Sequence, residues 1–381
     1  MTFPSPFRRG LVLAMLAVSA CARSDPREFR IAVLAAKGAE FRQASGGPSM
    51  EGAEMAVAEI NNAGGVRIGR HVYRINLVER SYEPDPAGAI AEAKRLITVD
   101  RVHAIVGPQL SEHALAVAPV AEQAGIPMLS PMASNVLLTA HRRYISRLAL
   151  LDEAQGTVLA HFARRDLKVE RAAVLYDATR SSAKLLSDLF LRTFVSLGGE
   201  VTDIEDFQPE ERDFRSTLQR MLAKHPEVLL LPNYTVVDTV QIRQARALGF
   251  RGQFLGGDTW DLQAMDRTPA VVGAVIVHQW NSGSPDSASV AFVRRFRQRV
   301  GHEPRVTAAA TYDAVHVLAK AAVRAGTLRG DLLSDSLRTL PRYVGAAATY
   351  HFVGTGDPRR GGVLVRIGAE RDSVVAVVDV P

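Results

Sequence analysis

The sequence predicts an α/β fold built as two lobes, each a mostly parallel sheet flanked by helices. Two observations carry this expectation. Short apolar segments rich in β-branched residues alternate along the chain with amphipathic helical segments. That rhythm belongs to parallel strands covered on both faces. It continues through most of the 381 residues, past the roughly 250–300 at which a single core stops growing. Hydrophobic residues make up 47% of the chain, enough to fill two cores.

Taken in order, 29–34 alternates and is rich in β-branched residues, so it reads as the first strand. Apolar residues at Met50, Ala53, Val57 and Ile60 have helical spacing, and Asn62-Ala63-Gly64-Gly65 supplies a stop and a turn. Strand 72–78 is followed by a helix over 85–98, entered through Pro84 and Pro86, and then by a short buried strand at 102–106 that ends at Gly107-Pro108. Helix 111–124, strand 127–130, helix 152–165, strand 171–176 and helix 181–197 continue the alternation. Strand 200–207, helix 214–223, strand 228–231, helix 235–248 and strands 253–255 and 272–278 follow. Helices at 287–300 and 308–325 come next, and a hairpin-like pair, 348–352 and 363–367, returns to an existing sheet. The first lobe boundary is expected near 144–148. No Pro/Gly/Ser-rich linker lies there, so short hinge strands join the lobes.

The N-terminus carries an export pattern. Arg8-Arg9 precede an apolar run from Leu11 to Val18, and small residues lead directly to Cys21. The run is too short to span a bilayer, so residues 1–20 read as a cleaved signal peptide. Cys21 is the only cysteine, which leaves no partner for a disulfide within the chain. Val18-Ser19-Ala20-Cys21 resembles the lipobox of bacterial lipoproteins, which implies a diacylated Cys21, a linker over 21–28 and a membrane anchor.

The arginines behind the formal charge of +6 are scattered in pairs and form no basic stripe, so no nucleic-acid partner is expected. The sequence has no His-Glu-x-x-His, no Gly-x-Ser-x-Gly, no Walker loop and no metal-type Cys/His spacing. The expectation is therefore a protein that is not an enzyme and carries no cofactor or metal. Gly354-Thr355-Gly356-Asp357 reads as a turn.

Several stretches, in order, resemble the type I periplasmic binding proteins, and among them the branched-chain amino-acid (leucine/isoleucine/valine) receptors of ABC transporters. They are Glu51 to Ala56 with Ile60 to Gly65, Val106-Gly107-Pro108 with Ser111, Gly125 to Ser134, Asp152 with Gln155-Gly156, Asp213-Phe214, and Gln244 to Gly249. The resemblance implies two lobes joined by three hinge crossovers, with a ligand cleft between them. Lobe 1 would be 28–147 plus 280–340, and lobe 2 would be 148–279 plus 341–381. It implies a monomeric receptor, on the periplasmic face of the envelope, that serves a permease in the inner membrane.

The resemblance also assigns candidate ligand contacts. Ser111 opens a helix and would hold a ligand carboxylate together with free backbone N–H groups. Met132, through its carbonyl, and Ser134 would meet the ammonium and carboxylate. Tyr234 would lie against the ligand, and Asp258 would bind its α-ammonium. Phe41 would cap the side-chain pocket. Glu112 stands where a small hydroxyl is usual, and pointing inward it would repel an anion. Ser181-Ser182 replaces an aromatic wall, which implies a larger or more polar pocket. Trp260 would be either a pocket wall or lobe packing. The small-molecule ligand would be an amino acid or an analogue. Two alternatives stay open: an amide, urea-like or aromatic-acid ligand, or a lipoprotein scaffold that uses the same fold for protein contacts.

Overall fold

The computed structural model describes Met1 and residues 27–37, 46–262 and 264–378. The signal segment, Cys21 and Phe41 lie outside the described residues. The chain starts with β1 (Arg27–Ala36), α1 (Gly47–Asn62), β2 (Val66–Ile68), β3 (His71–Tyr82), α2 (Pro86–Thr98) and β4 (Ala104–Val106). It continues with α3 (Ser111–Ala124), β5 (Met128–Ser130), β6 (Ile145–Arg147), α4 (Asp152–His161), β7 (Arg171–Asp177) and α5 (Ser181–Ser196). Next come β8 (Glu200–Phe207), α6 (Arg215–Leu222), β9 (Val228–Leu230), α7 (Thr235–Ala247), β10 (Gln253–Gly256) and β11 (Val275–His278). The last part holds α8 (Ser287–Val300), α9 (Val306–Ala325), α10 (Gly330–Arg338), β12 (Tyr343–Val344), β13 (Thr349–Phe352), β14 (Pro358–Arg359), β15 (Gly362–Arg366) and β16 (Ser373–Val378).

These strands form two main sheets. The first has the order β2-β3-β1-β4-β5-β6 and is parallel apart from β2. The second has the order β16-β15-β11-β10-β9-β7-β8 and is parallel apart from β15, which runs antiparallel to both of its neighbours, β11 and β16. Both are covered on each face, and strand alternation shows how. Ile31 and Val33 enter one core while Ala32 and Leu34 enter the core on the opposite face. In the second sheet Ala173 and Leu175 face one core, and Ala172 and Val174 face the other. A period of two with both sets buried is what a doubly covered parallel sheet requires.

The chain passes between the two sheets three times. Leu148 belongs to the first lobe's core and Leu150 to the second's. Val277 lies in the second and Trp280 in the first, and Phe352 in the first is followed by Leu364 in the second. Arg360, buried in the third crossing, donates to Leu148 O at 2.9 Å and to Gln279 O, so it ties all three together.

The structure corrects the expected organisation at the C-terminus. Segments 348–352 and 363–367 do not pair with each other. β13 sits in a small sheet between β12 and β14, whereas β15 extends the second main sheet beside β11. Tyr343, Tyr350 and Phe352, expected with lobe 2, pack on the first lobe's core. Buried Asp313 in α9 holds them there by accepting from Ala346 N, Ala347 N and the Tyr350 hydroxyl. Helix α10 went unanticipated because only Leu333 and Leu337 anchor its nine residues among its buried apolar side chains.

Candidate functional site

The C-terminal ends of both sheets face each other across a cleft of about 760 Å³. The walls include the first residues of α3 and α9 from the first lobe and of α5 and α7 from the second. Helix N-termini carry free N–H groups and a partial positive charge. Four of them around one cavity make a site that favours an anionic group.

Each wall has a sequence reason. Gly107 has φ +105°, and a Cβ there would stand 2.4 Å from Leu34 O. Only glycine lets the chain turn this closely over β1 and start α3 at Ser111. The Ser111 hydroxyl oxygen accepts from Asn135 N at 3.3 Å, which links α3 to the loop after β5. That loop is shaped by Ser130, whose hydroxyl donates to Pro108 O at 2.6 Å and accepts from Ala133 N at 3.2 Å. Beneath it lies Arg147, 0% exposed, donating to Ala133 O, Asn135 O, Val136 O and Thr139 Oγ1. Its charge is paired at 2.6 Å with Asp357, from the turn expected at 354–357.

Five of the expected contacts, Ser111, Met132, Ser134, Tyr234 and Asp258, line this one cleft. The first three come from the first lobe, Tyr234 and Asp258 from the second. Tyr234 is half-buried just before α7, and burial pushes its hydroxyl up to about 12. Glu112 lines the cleft and is neutralised across it, with its two carboxylate oxygens accepting from Arg180 Nη1 at 3.1 and 3.2 Å. The guanidinium of Arg180 lies 4.7 Å from the centre of the Tyr234 ring. The feared repulsion at Glu112 is thus answered from the opposite lobe. Ser181 and Ser182 also line the cleft, and Asn135 Nδ2 donates to Ser181 Oγ at 3.0 Å.

Asp258 sits in a buried polar knot. Its N–H donates to Gln155 Oε1 at 3.0 Å, and its carboxylate accepts from Gln279 Nε2. Burial raises its carboxyl above the usual range and lowers the neighbouring His278. Asp152 lies nearby, and its carboxyl is pushed up to about 7 by burial and by the charge of Asp258.

Sequence reasoning missed several wall residues. Arg305, at the start of α9, bridges to Asp261 of the other lobe at 2.6 Å. Trp280 lines the cleft with its Nε1 donating to Ser289 Oγ at 2.7 Å. Trp260 is lobe packing, buried in the second core with Nε1 on Leu231 O at 3.0 Å. Gly256 admits that ring, since a Cβ there would stand 2.3 Å from Trp260 Cε2. Gln279 had one sequence signal, a polar residue directly after the buried strand β11.

Two covered sheets, three crossings and an inter-lobe cleft define the architecture of a two-lobed binding protein. The sequence model described as periplasmic binding protein matches residues 28–370. The chain belongs to the periplasmic binding protein family. It is 26% identical over 330 residues to a leucine-specific-binding protein of Salmonella typhimurium, covering 83% of this chain and 84% of that one. A leucine-binding protein of Thermotoga maritima superimposes with a TM-score of 0.82 at 27% identity, covering 92% of this chain and 98% of its own. A branched-chain amino-acid transporter substrate-binding protein of Streptococcus pneumoniae, solved with isoleucine, has a TM-score of 0.82 at 23% identity. It covers 93% of this chain and 99% of its own, and shares the fold. The family members found are substrate-binding receptors. No helix among the described residues is long and apolar enough to cross a membrane.

Proposed function

We propose that this chain is an exported, non-catalytic receptor that captures a small solute, an amino acid or close analogue, between its lobes for an ABC permease of the inner membrane. The observation that carries the reading is the 760 Å³ cleft, walled by helix N-termini of both lobes. Its size falls within the roughly 300–1,000 Å³ of ordinary small-molecule pockets. A solute carboxylate is held by the N-terminus of α3 with Ser111 and Ser134. A solute ammonium pairs with Asp258, and Tyr234 covers the solute from the second lobe. Charges enter such a site only when every one is hydrogen-bonded, which two closing walls supply. The same reading places the protein as a monomer on the periplasmic face, anchored through a lipid on Cys21.

A thermal-melt screen of the purified chain tests this after bound solute has been stripped by partial unfolding. The panel holds amino acids, amides, ureas and aromatic acids. A true ligand at about 100 times its Kd adds ~2.7 kcal/mol of stability. An amino acid that raises the melting temperature supports the reading. If only an acid lacking an amine does so, the receptor stands and the ligand class changes. A panel with no stabilising compound favours a scaffold that works by protein contacts.

A further inference from the structure

The candidate ligand carboxylate is not held by its own lobe alone. Gln279, 1% exposed, stands in the second lobe crossing. Its Nε2 donates both to Asp258 Oδ2, on the second lobe, and to Met132 O, at 3.3 Å on the first. An amide nitrogen has two hydrogens, so both are spent. The other end of the amide is fixed as well. Gln279 Oε1 accepts from Leu150 N at 3.3 Å in the first crossing, and Arg360 Nη1 of the third crossing lies 3.5 Å away. Donors on one side and acceptors on the other leave the amide a single orientation, because a flip would set its oxygen against Asp258 and Met132 O and its hydrogens against Leu150 N–H and Arg360. The backbone is pinned too, since Arg360 Nη2 donates to Gln279 O.

We infer that Gln279 is the positioning residue of the solute site, fixing Asp258 by one oxygen so that the other is presented to an amine-bearing solute. An unheld Asp side chain has rotamers that turn its charge toward bulk water or toward neighbouring groups. Fixing it beforehand removes that ordering cost from binding and gives the interaction its direction. Gln279 itself does not line the cleft wall, while Asp258 and Met132 do, so it acts through them. The role rests on the receptor reading above and names the solute group that the site selects, a protonated amine.

The test compares L-amino acids with their deaminated acids (leucine with 4-methylpentanoate, phenylalanine with 3-phenylpropanoate, and so on through the amino acids). Calorimetric Kd values are measured for the wild-type chain and for Gln279→Met, which keeps the side-chain length and loses both donors. The wild type is expected to favour the amine of a bound pair by at least about tenfold. In Gln279→Met that preference falls below about threefold, because affinity for the amine-bearing member of each pair drops more than affinity for its deaminated acid. A residue that merely stabilised the fold would weaken both members of a pair together. Gln279→Asn, whose amide is one methylene short, loses the preference in the same direction and provides the test if the Met variant does not fold. A wild type that shows no amine preference, or variants that keep it, overturns the role of Gln279 and leaves the receptor reading standing. A wild type that binds neither member of any pair fails the amino-acid reading of the receptor, and this inference falls with it.

Discussion

Asp152 sits at the first turn of α4, 2% exposed, with Oδ2 lacking a hydrogen-bond partner. Burial first, and then the charge of Asp258, push its carboxyl to about 7, against roughly 3.9 in an unfolded chain. The folded state therefore holds a proton between about pH 4 and 7 that the unfolded state has released. Stability from this group is present at low pH and is lost as the pH rises through that window. Replacing Asp152 with Asn removes the dependence. Denaturant titrations should show Asp152→Asn gaining about 2–3 kcal/mol on the wild type between pH 5 and 7.5. Parallel curves for the two proteins would mean that Asp152 titrates normally. The residues at this scale were unevenly legible. Ser134, Tyr234 and Asp258 stand in loops directly after strands, and Ser111 ends such a loop by opening α3; the sequence marks these loops with Gly, Pro or Ser, and all four residues line the cleft. Pro304 before Arg305, and Pro358 and Gly361-Gly362 around Arg360, mark turns as well, but nothing local assigns these arginines or Gln279 a partner. Their roles come from partners 21 to 212 residues away, which no local pattern encodes.

At the scale of elements, two helix pairs cross on glycine. A Cβ on Gly52 of α1 would meet Ala308 O of α9 at 2.1 Å, and one on Gly156 of α4 would meet Leu186 O of α5 at 2.4 Å. Alanine is the better helix former by roughly 1 kcal/mol, yet neither backbone can recede without moving its helix. Overpacking of this kind costs about 1–3 kcal/mol. Gly52→Ala and Gly156→Ala are each expected to lower unfolding stability, as read from urea midpoints. A gain in either would show that the helices separate easily. Gly52 lies inside the apolar spacing that announced α1 from the sequence, because a long helix repeats its apolar face several times. Elements with too few repeats escaped notice. β2 is three residues between two glycine turns, and α10 has two buried leucines. The C-terminal strands were seen but mispaired, since their alternation says which face is buried and not which strand lies beside them.

For the whole molecule, the balance between open and closed lobes decides function. Described contacts across the cleft include Glu112–Arg180, Arg305–Asp261 and Asn135–Ser181. The charged side chains of the two ion pairs are 22–44% exposed. Pairs of this exposure contribute about 0–1 kcal/mol each, so they orient closure without enforcing it. The hinge is firmer: Arg360 and Gln279 join all three crossings by hydrogen bonds with little exposure to water. A weakly held interface around a well-tied hinge is poised for a ligand to shift, because a solute touching both walls binds the closed form far better than the open one. Small-angle X-ray scattering of the solute-stripped chain, with and without a saturating compound from the melt screen, tests this directly. The radius of gyration is expected to fall on binding as the lobes close. An unchanged radius at saturation would contradict closure on the solute.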